Sequence, residues 1–86
     1  MYQAILSSKT QKSLKKFPPK DLKKIKKTIF RLEENPRCSG TIKLGYVPIA
    51  SYRFRIGNYR LLFDIDDKKK VVAILDIRRR DEKTYK

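Results

Sequence analysis

Residues 50–65 read ASYRFRIGNYRLLFDI, two alternating runs of apolar and charged residues separated by Gly57 and Asn58. A Gly-Asn pair in that setting signals a two-residue β-hairpin, because both residues tolerate the positive φ that such turns demand. The turn sets the register outward: Ile56 faces Tyr59, Arg55 faces Arg60, Phe54 faces Leu61 and Arg53 faces Leu62. Side chains alternate across a strand, so Tyr52, Phe54, Ile56, Tyr59, Leu61, Phe63 and Ile65 fall on one side. Arg53, Arg55 and Arg60 fall on the other. The chain must bury the first set and leave the second on an open face.

A third strand-like run, VVAILDI at residues 71–77, follows. Its more uniform apolar set, Val71, Ala73, Leu75 and Ile77, is expected in the core, which sends Val72, Ile74, Asp76, Arg78 and Arg80 to the open side. That register requires an odd-length turn around DDKKK. It places Asp76 beside Arg60 and points Arg79 the other way. The open face then collects Arg53, Arg55, Arg60 and Arg80, with Tyr85 on a short tail able to fold back over it. Arg55 opposite Arg60 costs a fraction of ~1 kcal/mol, since like charges at a directly paired position destabilise a sheet. Exposed arginines also protect sheet edges, so the cluster has a purely structural reading as well.

Upstream, YQAIL at residues 2–6 reads as a strand, and Ser7 and Ser8 suit a strand stop followed by a helix N-cap. Residues 9–17 form a helix by Lys and Gln propensity, with Leu14 and Phe17 as core contacts. In FPPKDLKKIKKTIFRLEENP, residues 17–36, Leu22, Ile25, Ile29 and Leu32 recur on one helical stripe; Pro19 opens the helix and Pro36 closes it. Gly40, Gly45 and Pro48 then interrupt a loop with a brief edge strand near Thr41 to Leu44. The order is β-α-α-β-β-β: an α+β fold with an N-terminal strand and two antiparallel α-helices packed on one face of an antiparallel β-sheet, one domain over residues 1–86.

Twenty-three Lys and Arg against nine Asp and Glu give this 86-residue chain a formal charge of +14, which points to a polyanionic partner. Lys9, Lys12, Lys15 and Lys16 on the first helix join Lys20, Lys23, Lys24 and Lys27 on the second, with only Asp21 among them. Lys43 and Arg79 add to the basic surface. Such a face is either a solvated lysine surface or a nucleic-acid contact surface. With no histidine and one cysteine, Cys38, the chain has no disulfide framework and no expected metal site. Cys38 reads as structural or incidental. The N-terminus has no apolar core of a signal peptide or membrane span, so a cytoplasmic protein without membrane attachment is expected.

Guanidinium groups bind phosphate bidentately and stay charged, so several on one sheet face make a site for a phosphodiester. RNA carries its own nucleophile, because its 2′-hydroxyl can attack the adjacent phosphorus to leave a 2′,3′-cyclic phosphate and a free 5′-hydroxyl. No metal or cofactor is then required. Proton transfer falls to tyrosine, arginine, lysine or an acid, and Tyr85 among cations has its phenolate favoured.

YRFRIGNYRLLFDID and VVAILDIRRRDEKTY, behind two basic helices and a KLGY segment, resemble the RelE/ParE superfamily of toxins from toxin-antitoxin systems. The resemblance covers nearly the whole chain. It implies a RelE-like mRNA interferase that enters the ribosomal A site of the 30S subunit and cleaves the message, or, on the other branch, a ParE-like poison of DNA gyrase. A non-catalytic basic module that binds RNA and antitoxin is a third reading. Carried over position by position, the resemblance assigns catalytic roles to Arg53, Arg55, Arg60, Arg80 and Tyr85. The first two are lysines in the best-known RelE pattern, and the spacing to Tyr85 leaves Arg79 as an alternative to Arg80. RNA contacts are expected from Lys9, Lys12, Lys16, Lys20, Lys23, Lys24, Lys27, Lys43 and Arg79. The implied partners are an acidic, RelB-like antitoxin, the ribosome with its mRNA, and operator DNA only through the antitoxin complex.

Overall fold

A computed structural model describes residues 1–45 and 50–79. The elements run β1 (Gln3–Leu6), α1 (Ser8–Leu14), α2 (Pro19–Glu34), β2 (Thr41–Lys43), β3 (Tyr52–Ile56), β4 (Tyr59–Asp66) and β5 (Val71–Arg79). The strands form one sheet in the order β1-β5-β4-β3-β2. Both helices lie on one face of it, as expected. The sheet is antiparallel from β2 to β5, and β1 joins it by pairing parallel to β5.

Helix α1 starts where the serines predict: the Ser7 side chain accepts a hydrogen bond from the Thr10 backbone N–H at 3.1 Å. Helix α2 has Pro19 in its first turn and buries Ile25 and Leu32 completely, with Ile29 packed beside them. Against this stripe the sheet sets Ile56, Tyr59, Leu61, Phe63, Val72, Ile74 and Ile77. The hairpin register is the expected one, Ile56 to Tyr59 and Arg55 to Arg60 included. Gly57 takes φ +55° in the turn, and Gly40 takes φ +103° where a Cβ would meet the Phe54 ring at 2.9 Å.

Strand β5 departs from expectation in its first half. Asp66 pairs with Val71 across an even turn, residues 67–70, so Val72 and Ile74 are in the core at 0% exposure, while Val71 and Ala73 face away from the helices. The parity change lies inside the strand instead, at a bulge: Phe63 pairs with Ile74 and Leu62 with Asp76, leaving Leu75 as the extra residue. Beyond the bulge, Ile77 is core and Asp76 and Arg78 are on the open face, as expected. The start of α1 supplies the bulge with donors. The Ser7 N–H donates to the Ile74 carbonyl at 2.9 Å, the Ser7 hydroxyl to the Leu75 carbonyl at 2.9 Å, and the buried Thr10 hydroxyl to the Ile74 carbonyl at 3.2 Å. Backbone groups displaced from a ladder need such partners when buried.

Candidate nucleic-acid interface

The two ladders that flank β4 put three arginines in one row. Arg60 pairs with Arg55 on β3 and with Arg78 on β5. Adjacent strands lie about 4.7–4.9 Å apart, so the row spans roughly 10 Å from Arg55 to Arg78. Two positions further along each strand lies a second row on the same face, Arg53 opposite Leu62 and Leu62 opposite Asp76. Arg55 is exposed, and Arg53, Arg60 and Arg78 are half-buried. Of the arginines expected on this face, Arg53, Arg55, Arg60 and Arg78 share it, with Arg78 directly beside Arg60. Arg80 and Tyr85 lie outside the described residues.

Asp76 is an acid within this face, and its side chain is 4% exposed. It does not sit beside Arg60 as the sequence suggested, because the bulge pairs it with Leu62. One carboxylate oxygen accepts from the Ile77 backbone N–H at 2.8 Å; the other accepts from Arg78 Nε at 2.9 Å and lies 3.4 Å from Lys9 Nζ. A buried carboxylate needs this kind of compensation, and two cations supply it.

The hairpin tip is tied to the start of α2. The Tyr59 hydroxyl donates to Asp21 at 2.6 Å, and the Tyr59 ring packs on Phe17 with centroids 4.7 Å apart. Asp21 and Tyr59 border a small cleft of about 150 Å³ together with Lys24 and Arg79. Lys9 and Lys16 flank a larger cleft beside the end of β5. Lys12, Lys20, Lys23 and Lys27 are exposed on the helices, and Lys43 is exposed on the edge strand β2. The predicted basic residues are therefore spread over both helices, the edge strand β2 and the end of β5, and they are not gathered in one cleft.

Sequence reasoning missed a polar cluster at the other end of the sheet. Arg37 grips both carboxylate oxygens of Asp67, at 2.9 and 3.0 Å, and the Tyr2 hydroxyl donates to the same carboxylate at 2.6 Å. Hydrogen bonds first from Arg37 and then from Tyr2 hold the Asp67 carboxyl down to about 2. The same contact raises the Tyr2 phenol above its ordinary value. This cluster joins the N-terminus, the segment after α2 and the β4–β5 turn. Its chemistry is that of a clamp. Among the described residues no group of three or more His, Cys, Asp or Glu could hold a metal ion, and no helix is long and apolar enough to cross a membrane.

What this arrangement can do chemically is bind a polyanion along a row of guanidinium groups and stabilise charge developing on a phosphorus centre. Comparisons with known proteins identify the family and the fold. Residues 4–84 match the family model of the ParE toxin of the type II toxin-antitoxin system parDE. Among solved structures, the toxin-antitoxin complex RelBE2 of Mycobacterium tuberculosis contains a chain similar to this one at TM-score 0.81 and 29% identity, covering 92% of this chain and 98% of that one. The archaeal RelE-RelB complex of Pyrococcus horikoshii matches at TM-score 0.81 and 26% identity, over 94% and 97% of the two chains. The isolated RelE toxin of E. coli shares the fold at TM-score 0.80 and 22% identity, over 98% and 89%. Comparison with curated proteins gave no match.

Proposed function

The chain belongs to the ParE toxin family and is a type II toxin with the RelE fold, and from that premise we propose that it is a ribosome-dependent endoribonuclease that cleaves translated mRNA. The observation that carries this reading is the row Arg55–Arg60–Arg78 with Arg53 beside it. Two like-charge pairs in succession work against the sheet, and a phosphodiester lying across them offsets the repulsion.

In the proposed reaction the RNA 2′-oxygen attacks the neighbouring phosphorus as its proton leaves to a base. The bond from phosphorus to the 5′-oxygen breaks, and that oxygen takes a proton from an acid, giving a 2′,3′-cyclic phosphate and a 5′-hydroxyl. Arg53, Arg55 and Arg60 hold the phosphate and stabilise the added charge of the transition state. Arg80, or Arg79 in its place, and Tyr85 as proton carrier complete the set on the strength of the sequence resemblance. The lysines of α1 and α2 and Lys43 dock on ribosomal RNA, with salt-dependent, sequence-tolerant contacts.

The relatives from Mycobacterium tuberculosis and Pyrococcus horikoshii are seen with an antitoxin. An acidic antitoxin is the matching partner for a chain of charge +14, and operator DNA is reached only through that complex. The cytoplasm, where ribosomes and messages are, is the proposed place of action. The family model's ParE description supports a second reading, poisoning of DNA gyrase. Purified protein added to ribosomes stalled on a defined message distinguishes them: cleavage with cyclic-phosphate ends supports the nuclease, whereas inhibition of gyrase supercoiling with an intact message supports the rival.

A further inference from the structure

At the far end of the arginine row, the segment carrying α1 and the end of β5 enclose a cleft of about 410 Å³. Lys9, Ser13 and Lys16 form one wall, and Asp76, Arg78 and Arg79 the other. The lining thus carries four cations and one carboxylate, and that carboxylate is committed. Asp76 takes Arg78 through Nε at 2.9 Å and approaches Lys9 at 3.4 Å. An arginine held by Nε has its plane fixed and keeps its terminal NH₂ groups, four of its five N–H donors, for a second anion. Arg78 and Lys9 are accessible for that purpose, with side chains 36% and 69% exposed against 4% for Asp76.

We infer that this cleft is a separate phosphate subsite for single-stranded RNA, with Arg78, Lys9 and Lys16 as ligands and Asp76 as the residue that positions the first two. It rests on the proposed RNA-directed function and deepens it. Arg78 faces Arg60 directly, so a strand laid across Arg55 and Arg60 passes without a break to Arg78 and into the cleft. The cleft then holds a phosphate one or more nucleotides from the scissile one and sets the direction in which the strand crosses the sheet. A carboxylate-bearing peptide is the competing occupant. Continuity with the arginine row favours the phosphate.

The test is fluorescence anisotropy with a short labelled single-stranded RNA, without ribosomes, on the full chain across a salt series. K9Q/R78Q is expected to weaken binding at least about tenfold, because it removes two charged donors to phosphate. It should also lower the slope of log affinity against log salt by about 0.7, the value for the one phosphate that is no longer neutralised. K68Q/K69Q, matched in charge and placed on the β4–β5 turn, should leave both nearly unchanged. If stranding Asp76 unfolds K9Q/R78Q, adding Asp76→Asn removes the buried charge and the same comparison applies. Equal losses of affinity in both pairs, an unchanged slope in K9Q/R78Q, or loss only of poly-glutamate binding would each overturn the subsite. Since no ribosome is present, these results are independent of whether translated message is cut.

Discussion

Arg55 and Arg60 occupy directly opposed positions on β3 and β4, so a like-charge pair sits one step in from the hairpin turn, in a ladder whose other face is the core of the protein. Nothing in the sheet's stability asks for it. Replacing Arg55 with Thr, a good strand residue, is therefore expected to raise the unfolding free energy by about 0.2–1 kcal/mol while reducing RNA cleavage. Urea denaturation and a cleavage assay on the same preparation check both halves. A variant of lower stability would mark Arg55 as a structural residue, and the functional explanation of the pair fails with it.

The hydrogen bond between Tyr59 and Asp21 joins the hairpin tip to the start of α2 at 2.6 Å. A double-mutant cycle with Tyr59→Phe and Asp21→Ala should return a coupling of about 1.5–3 kcal/mol, the range for a hydrogen bond to a charged group. Because the tip carries Arg55 and Arg60, Tyr59→Phe should also lower cleavage without changing which products form. Additive single-mutant effects would mean that the contact does not tether the tip.

Asp67 governs an acid-side dependence. Its folded-state value is held down to about 2 from an ordinary 3.8, first by Arg37 and then by Tyr2. A depressed carboxyl contributes stability above its unfolded value and loses it as pH falls through the folded one. The melting-temperature gap between wild type and Arg37→Gln should accordingly be steady above about pH 4, then close between pH 4 and pH 2. Both partners are about half exposed, so added salt should narrow the gap at neutral pH. A gap that stays constant down to pH 2 would assign Arg37's contribution to packing on Tyr52 instead.

The hairpin was legible because Gly57 and Asn58 impose a local turn, and register then follows by counting. Helix α2 was legible for the same reason, through the local spacing of Ile25, Ile29 and Leu32. Strand β5 was legible only beyond its bulge. Counting back from Asp76 demanded one change of parity, and the sequence suggested the turn at residues 66–70; the fold places the change at Leu75, where Ser7 and Thr10 capture the freed carbonyls. That contact bridges residues 64 to 68 positions apart, beyond the reach of any local pattern. The same shift made Arg78 a neighbour of Arg60. Its signal was present in the run Arg78–Arg80, but the register needed to single it out was not. The Tyr2–Asp67–Arg37 clamp, spanning 65 and 30 positions, left no trace in periodicity at all.

The most direct measurement is primer extension on a translated message after induced expression of the wild-type chain and of R55A/R60A. Wild type should produce new 5′ ends within the coding region, only on messages being translated, and the folded double variant should produce none while still binding its antitoxin. Cleavage that persists in R55A/R60A, or its absence in the wild type alongside loss of gyrase supercoiling, would contradict the assignment of the arginine row to RNA cleavage.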